Sequence, residues 1–363
     1  ALVKDLQTLP SIRLPKLVAT SGSIGRLNAF SSDYDFLDDE NLHQEFTKTW
    51  NKLTTRKGGI PHAVAKQYIE PSALIVDLYP DGKLFHARYV SMPTKNKVCD
   101  LDKVFFSDGR IEKNIPKALI WGDLHAYNRC EIEYQKSLEM IDFLQPESVY
   151  LQDVWDSASM NHHELNSIVK TVEAPDIDTE AEETRGILLE IASRSKQVKY
   201  LQSNHDNFIY KVLDSIMSFN LHKNYITALE LQLFRLKQKR HPAIKLLDLD
   251  SIENLEFIPE NARHFVGNTL IEHSHQGLSG RRAGFYELVK TYGSYICGHR
   301  HDAKIWRDSM QVGKLIRSDI DYASTGASAW VAANGVLNSD SSKQLLFIID
   351  SKSVLDLDKY KNK

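Results

Sequence analysis

Five short apolar runs punctuate the chain, at residues 117–121, 148–151, 198–201, 268–271 and 292–297. Each is dense in aliphatic and aromatic side chains and bounded by polar positions, which predicts a short buried strand. Longer stretches between them predict helices: 184–193 sets Ile187, Leu188 and Ile191 on one side, and 283–291 opens a second. Nearer the start, 72–79 and 83–90 flank Pro80, Asp81 and Gly82, a strand, turn and strand that predict a hairpin. Residues 104–107 predict a further strand, and 42–53, preceded by acidic residues at 38–40, a helix.

The polar residues at the ends of these runs carry the chemistry. Asp123 and His125 come after the first, Asp153 and Asp156 after the second, Asn204, His205 and Asp206 after the third, His273 and His275 after the fourth, His299 and His301 after the fifth. Open α/β sheets bind ligands beyond the carboxyl ends of their strands, so five such strands can aim dispersed residues into one crevice. One His or Asp after a strand is ordinarily a cap or a satisfied polar group. Five in succession supply nitrogen and oxygen donors for two adjacent divalent ions, and point to metal-assisted cleavage of a phosphate ester.

In order and spacing these motifs resemble the calcineurin-like binuclear metallophosphoesterases, whose pattern is DxH, GDxxD, GNHD, a His, then GHxH. The resemblance covers roughly residues 115–350, with Gln152 and Ser203 standing where the family has glycine. It implies an α/β sandwich of two mixed β-sheets flanked by helices. It further implies that Asp123, His125 and His301 hold one metal, that Asn204, His273 and His299 hold the other, and that Asp153 bridges them. Manganese is the first expectation for the two divalent ions, with zinc, iron or magnesium as alternatives. His205 has no ligand role in this scheme and is expected to protonate the leaving oxygen, with Asp206 orienting its imidazole and raising its pKa. His275 competes with His273 for the fourth position; His273, nearer the strand end, is preferred, leaving His275 to contact phosphate or a neighbouring carboxylate.

Composition adds a frame. At 363 residues, 42% hydrophobic and 26% charged, the chain can bury a sizeable core, and no apolar run approaches the length needed to span a bilayer. Neither a membrane partner nor a secretion signal is expected, and Cys99, Cys130 and Cys297, without metal or disulfide spacing, fit a reducing, cytoplasmic setting. Residues 1–114 read as an accessory α+β module that could mediate a homo-oligomer, and 115–363 as the catalytic domain with an insert at about 157–193. The insert carries His162 and His163, and its acidic stretch 176–183 reads as a mobile surface loop or partner contact.

A net charge of -3 neither demands nor excludes nucleic acid. Lys223, Arg235, Lys237, Lys239, Arg240 and Lys245, with Tyr225 and Phe234 interleaved, form a basic segment after the third motif, and Arg281 and Arg282 are candidates for clamping phosphate. The basic segment and the late stretch 322–330 resemble phage-encoded members of the family implicated in nucleic-acid degradation, which makes DNA the expected partner and the host cytoplasm the expected location. The expected activity is therefore that of a nuclease. A phosphatase for phosphoprotein or nucleotide is the enzymatic alternative, and a metal-stabilised scaffold the non-enzymatic one.

Overall fold

The computed structural model describes residues 4–9, 16–21, 72–79, 84–93, 96–161, 174–214, 225–277, 281, 284–319 and 328–356. The helix expected at 42–53, the turn at 80–82, and His162, His163 and Arg282 lie outside these residues.

Strands Lys4–Leu9 (β1) and Lys16–Ser21 (β2) come first, then the expected hairpin, Ser72–Leu78 (β3) and Phe85–Ser91 (β4). Lys97–Asp100 (β5), Lys103–Phe106 (β6) and Ile111–Lys113 (β7) form a small meander. Next come Ala118–Ile120 (β8), Ser148–Gln152 (β9), Val198–Leu201 (β10), Leu255–Ile258 (β11), His264–Val266 (β12), Thr269–Ile271 (β13) and Tyr295–Cys297 (β14). The last strands are Lys304–Trp306 (β15), Ser309–Gln311 (β16), Ala332–Leu337 (β17), Lys343–Ile349 (β18) and Lys352–Ser353 (β19). The α-helices are Glu131–Leu144 (α1), Ile177–Arg194 (α2), Phe208–Asp214 (α3), Tyr225–Gln238 (α4), Pro242–Leu246 (α5) and Phe285–Tyr292 (α6).

Two seven-stranded mixed sheets result, ordered β11-β10-β9-β8-β17-β18-β19 and β12-β13-β14-β16-β15-β1-β2. Strands β8 to β11 run parallel, as do β13, β14 and β16. The two-residue period of a strand sorts the side chains into layers. Ala118, Ile120, Tyr150 and Leu201 of the first sheet meet Ile271, Ile296, Ile305 and Met310 of the second in one core. The alternate residues Leu119, Val149, Leu151, Val198 and Tyr200 face outward and pack with side chains of α1 and α2. On the far side, Leu270, Tyr295 and Cys297 pack against Phe285, Leu288 and Val289 of α6. Because β8, β9, β10, β13 and β14 are covered on both faces, they read as unbroken apolar runs. Gly335 marks how closely the sheets approach: a Cβ there would lie 2.3 Å from Met310 Cε.

Strands from the first 114 residues belong to this architecture. β1 pairs antiparallel with β15, with Leu6 opposite Ile305. Tyr89 of β4 is buried in the intersheet core, and its carbonyl accepts from Gln344 Nε2 at 2.8 Å. The acidic stretch 176–183, expected to be a loop, is instead the start of α2. Asp176 caps it by accepting from Thr179 N at 2.9 Å, and Asp178 falls in the first turn, where negative charge complements the helix dipole, while Glu180 turns inward to accept from Ala158 N and Ser159 N. Acidity that suggested solvation along the sequence is what a helix start favours. Among the described residues no helix is long and apolar enough to cross a membrane.

Candidate metal centre

The five polar clusters lie just beyond the carboxyl ends of β8, β9, β10, β13 and β14, in two groups of adjacent parallel strands. Backbone bonds fix the first two loops against each other: Leu124 N donates to Gln152 O at 3.2 Å, His125 N to Asp153 O at 2.6 Å, and Ala126 N to Val154 O at 2.8 Å. His125, Asp153, Ser274, His299 and His301 all have positive φ, between 44° and 71°. Such backbone costs roughly 1–3 kcal/mol per residue, and its concentration at strand ends aims side chains off the sheets and into one space. Gly298 leaves that space open, since a Cβ there would lie 2.3 Å from Asp123 Oδ1.

Three groups of ligand atoms form among the described residues; one, of His125, Asp156 and His205, lies beside two others that share a carboxylate. Of these two, Asp123, His125, Asp153 and His301 make the first, and Asp153, His273 and His299 the second, so Asp153 is common to both. His301 Nε2 is 3.1 Å from Asp123 Oδ2, His125 Nε2 is 3.6 Å from Asp153 Oδ2, and His273 Nε2 is 3.2 Å from the same Asp153 oxygen. Asn204 Oδ1 joins the second group, 2.9 Å from His273 Nε2. The structure thus brings together all seven residues expected to bind metal.

Their burial makes the arrangement costly without cations. Asp123 and Asp153 are at most 1% exposed, and both Asp123 oxygens, Asp153 Oδ1 and His125 Nε2 make no hydrogen bond among the described residues. Buried carboxylates with so few hydrogen-bond donors demand positive charge beside them. Burial alone would push the His125 pKa down, but the carboxylates of Asp156, Asp153 and Asp123 outweigh it and lift the group to about 9. His273 is likewise raised against its burial by Asp153 and Asp123, and Asp153 is held well below the usual carboxylate range because His273, His205 and His125 outweigh its desolvation. Protons on these imidazoles occupy the role that divalent cations would take, so these residues could hold metal ions, and the N/O donor set suits a borderline transition metal.

Around the ligands lie further polar residues, some placed as the motifs imply and some not. Asp156, the last residue of the second motif, accepts from His125 Nδ1 at 2.8 Å and from Asn128 N and Nδ2 at 3.1 and 2.7 Å. His205 Nδ1 donates to the Asp156 carbonyl at 2.8 Å. Asp206, expected to orient His205, does something else: it accepts from Tyr200 Oη at 2.6 Å and from Ser203 N at 2.8 Å, building the turn that carries Asn204. His205 is correspondingly lowered, by burial first, rather than raised. His275 pairs with Glu260, 3.0 Å from Oε1, the carboxylate among its two expected partners. Arg281 is exposed and pairs with Glu287 at 3.2 Å.

A groove of about 1470 Å³ opens from His273 and His275 past Glu260 toward Lys239 and Arg240. The basic segment is partly spoken for: Arg240 forms paired 2.7 Å bonds with Asp250, and Arg235 reaches Asp214 at 2.6 Å.

The chain is similar to Protein A1 of Escherichia phage T5, 24% identical over 297 residues, 76% of this chain. It spans about half the length of that relative, 53%. No family model matches the chain, and no solved structure matches it.

Proposed function

We propose that the protein is a dinuclear metal-dependent phosphoesterase of the calcineurin-like kind, acting on phosphodiesters in DNA. The observation that carries the reading is the sharing of Asp153 between two buried ligand groups, because one carboxylate placed between two sites is what a pair of dications needs to sit side by side. Bound there, with manganese the first expectation, the two ions would supply Lewis acidity toward the phosphoryl group and an activated water.

The rest of the chemistry belongs to the chain. Asp123, His125 and His301 would hold one ion, Asn204, His273 and His299 the other, with Asp153 between. His205 is fixed by the Asp156 carbonyl, which can only accept, so its Nδ1 keeps a proton and Nε2 is the atom that exchanges one. Standing 4.8 Å from the His125 ring and partly exposed, His205 would protonate a departing oxygen. The groove that starts at His273 reaches the basic residues Lys239 and Arg240, which supports a polyanionic substrate. The likeness to a phage protein supports a phage-encoded enzyme acting in the host cytoplasm.

The test is metal-stripped protein with linear, single-stranded and supercoiled DNA and a chromogenic phosphomonoester, restoring manganese, magnesium or zinc in turn. Metal-dependent DNA cleavage with the monoester inert is expected. Monoester hydrolysis with intact DNA would replace the nuclease reading by a phosphatase, and silence on every substrate with metal bound would leave a scaffold.

A further inference from the structure

Gln152 stands where the resembled family has glycine, at the very end of β9, and is 0% exposed. Its carboxamide is held on three sides. Nε2 donates to the Trp121 carbonyl at 2.9 Å, Oε1 lies 3.3 Å from His273 Nδ1, and the Cα of Gly298 closes the third side, where a Cβ would come within 2.5 Å of Oε1.

These contacts determine one another. A backbone carbonyl only accepts, so the amide nitrogen must face Trp121, and the amide oxygen must face His273. An amide oxygen also only accepts, so His273 Nδ1 must carry a proton whether or not a cation is bound, and Nε2 is the nitrogen left to give its lone pair to a cation, its own proton in the metal-free protein being the one displaced. This Nε2 is 2.9 Å from Asn204 Oδ1 and 3.2 Å from Asp153 Oδ2. We propose that Gln152 is a positioning residue, passing the polarity of the Trp121 carbonyl through its amide to His273 and so setting that ring's tautomer for a divalent cation beside Asp153 and His299. A glycine here offers neither contact. The inference rests on the metal reading of the site.

The test uses the full chain, stripped and titrated with manganese, as wild type, Gln152→Met and Gln152→Glu. Methionine keeps the volume and loses the acceptor; glutamate keeps an acceptor toward His273 Nδ1. Wild type should take up two ions and give the spin-coupled signal of a manganese pair. In Gln152→Met the affinity of one ion should fall roughly 10- to 100-fold, the usual effect of losing a ligand's hydrogen-bond partner, and the coupled signal should give way to that of an isolated ion. Gln152→Glu should restore both. Two unchanged affinities in Gln152→Met, or two equally weakened ones, would overturn the proposal. Wild type that takes up no manganese would sink the metal reading itself and this one with it. A variant-independent arm covers misfolding: in zinc-loaded wild type labelled with 15N-histidine, His273 should show a protonated Nδ1 and a metal-bound Nε2, and coordination through Nδ1 would refute the chain of contacts.

Discussion

Replacing Asp156 by Asn tests whether the ligands owe their geometry to the groups behind them. The carboxylate accepts three hydrogen bonds, from His125 Nδ1 at 2.8 Å and from Asn128 N and Nδ2 at 3.1 and 2.7 Å. An amide can accept on one side only. With its oxygen toward His125, its NH₂ meets two donors on Asn128, turning two attractive contacts into repulsive ones. Hydrogen bonds to a charged group contribute about 1.5–3 kcal/mol each, and relaxation recovers part of that, so the metal-free fold should lose about 2–3 kcal/mol. Metal affinity should fall roughly 10- to 100-fold, because His125 loses the negative partner that orients it. Competition with a fluorescent chelator reads the affinity, and urea unfolding reads the fold. His205 is anchored by the Asp156 carbonyl, which the substitution leaves in place, so the dependence of rate on leaving group should not change. Affinity within about twofold of wild type, in a variant that has lost the expected stability, would refute the reasoning.

Asp153→Asn should lower bound metal below two ions per chain by elemental analysis, since both ligand groups share that carboxylate; full occupancy would remove its bridging role. His205→Ala should keep its metal yet slow turnover roughly 10²- to 10⁴-fold, with a smaller loss for good leaving groups, and metal loss would instead make it a ligand. His241 offers a pH test away from the ligands: burial pushes it from 6.5 down to about 4, so only the unfolded chain takes up a proton between those values. Its contribution is complete above pH 6.5 and fades as pH falls toward 4, by about 2 kcal/mol between pH 7 and pH 5 in urea unfolding of metal-free protein. His241→Asn, which keeps a cap acceptor for Ala243 N, should lose that slope, and an unchanged slope would assign it to other groups.

Legibility in the sequence tracks what each signal depends on. The five strands were readable because burial on both faces leaves no polar alternation, and their ligands because strand ends concentrate such residues. The chain did not show that β1 would pair with β15, since a six-residue strand such as Lys4–Leu9 carries too little pattern to name a partner some 300 residues away. Asp206 was misassigned because neighbours in sequence were taken as neighbours in space, whereas a tight turn sends its carboxylate back toward Ser203 and Tyr200. Glu260 acts only through residues brought near by folding, and nothing local marks it; Gln152 stands out in the sequence as a departure from the family's glycine, which does not reveal its partners. The acidic start of α2 was the opposite failure, a local signal read with the wrong physics.

The place of β8 bears on when the ligand site can form as the protein is made. Its neighbours are β9 and β17, with Leu119 opposite both Val149 and Val336. The Asp123 loop is braced from the same late region, Asp123 N donating to Gly313 O at 3.1 Å and Leu315 N to Asp123 O at 2.7 Å. A chain halted on the ribosome between His301 and Gly313 therefore contains every proposed ligand but lacks the strand that closes the sheet and the segment that steadies its first carboxylate. Pairing across so long a stretch of sequence forms late and slowly, and until it does the open edge of β8 invites other strands. Assembly of the site is thereby tied to synthesis of residues 313–337, and products truncated before them should be aggregation-prone and should hold metal poorly.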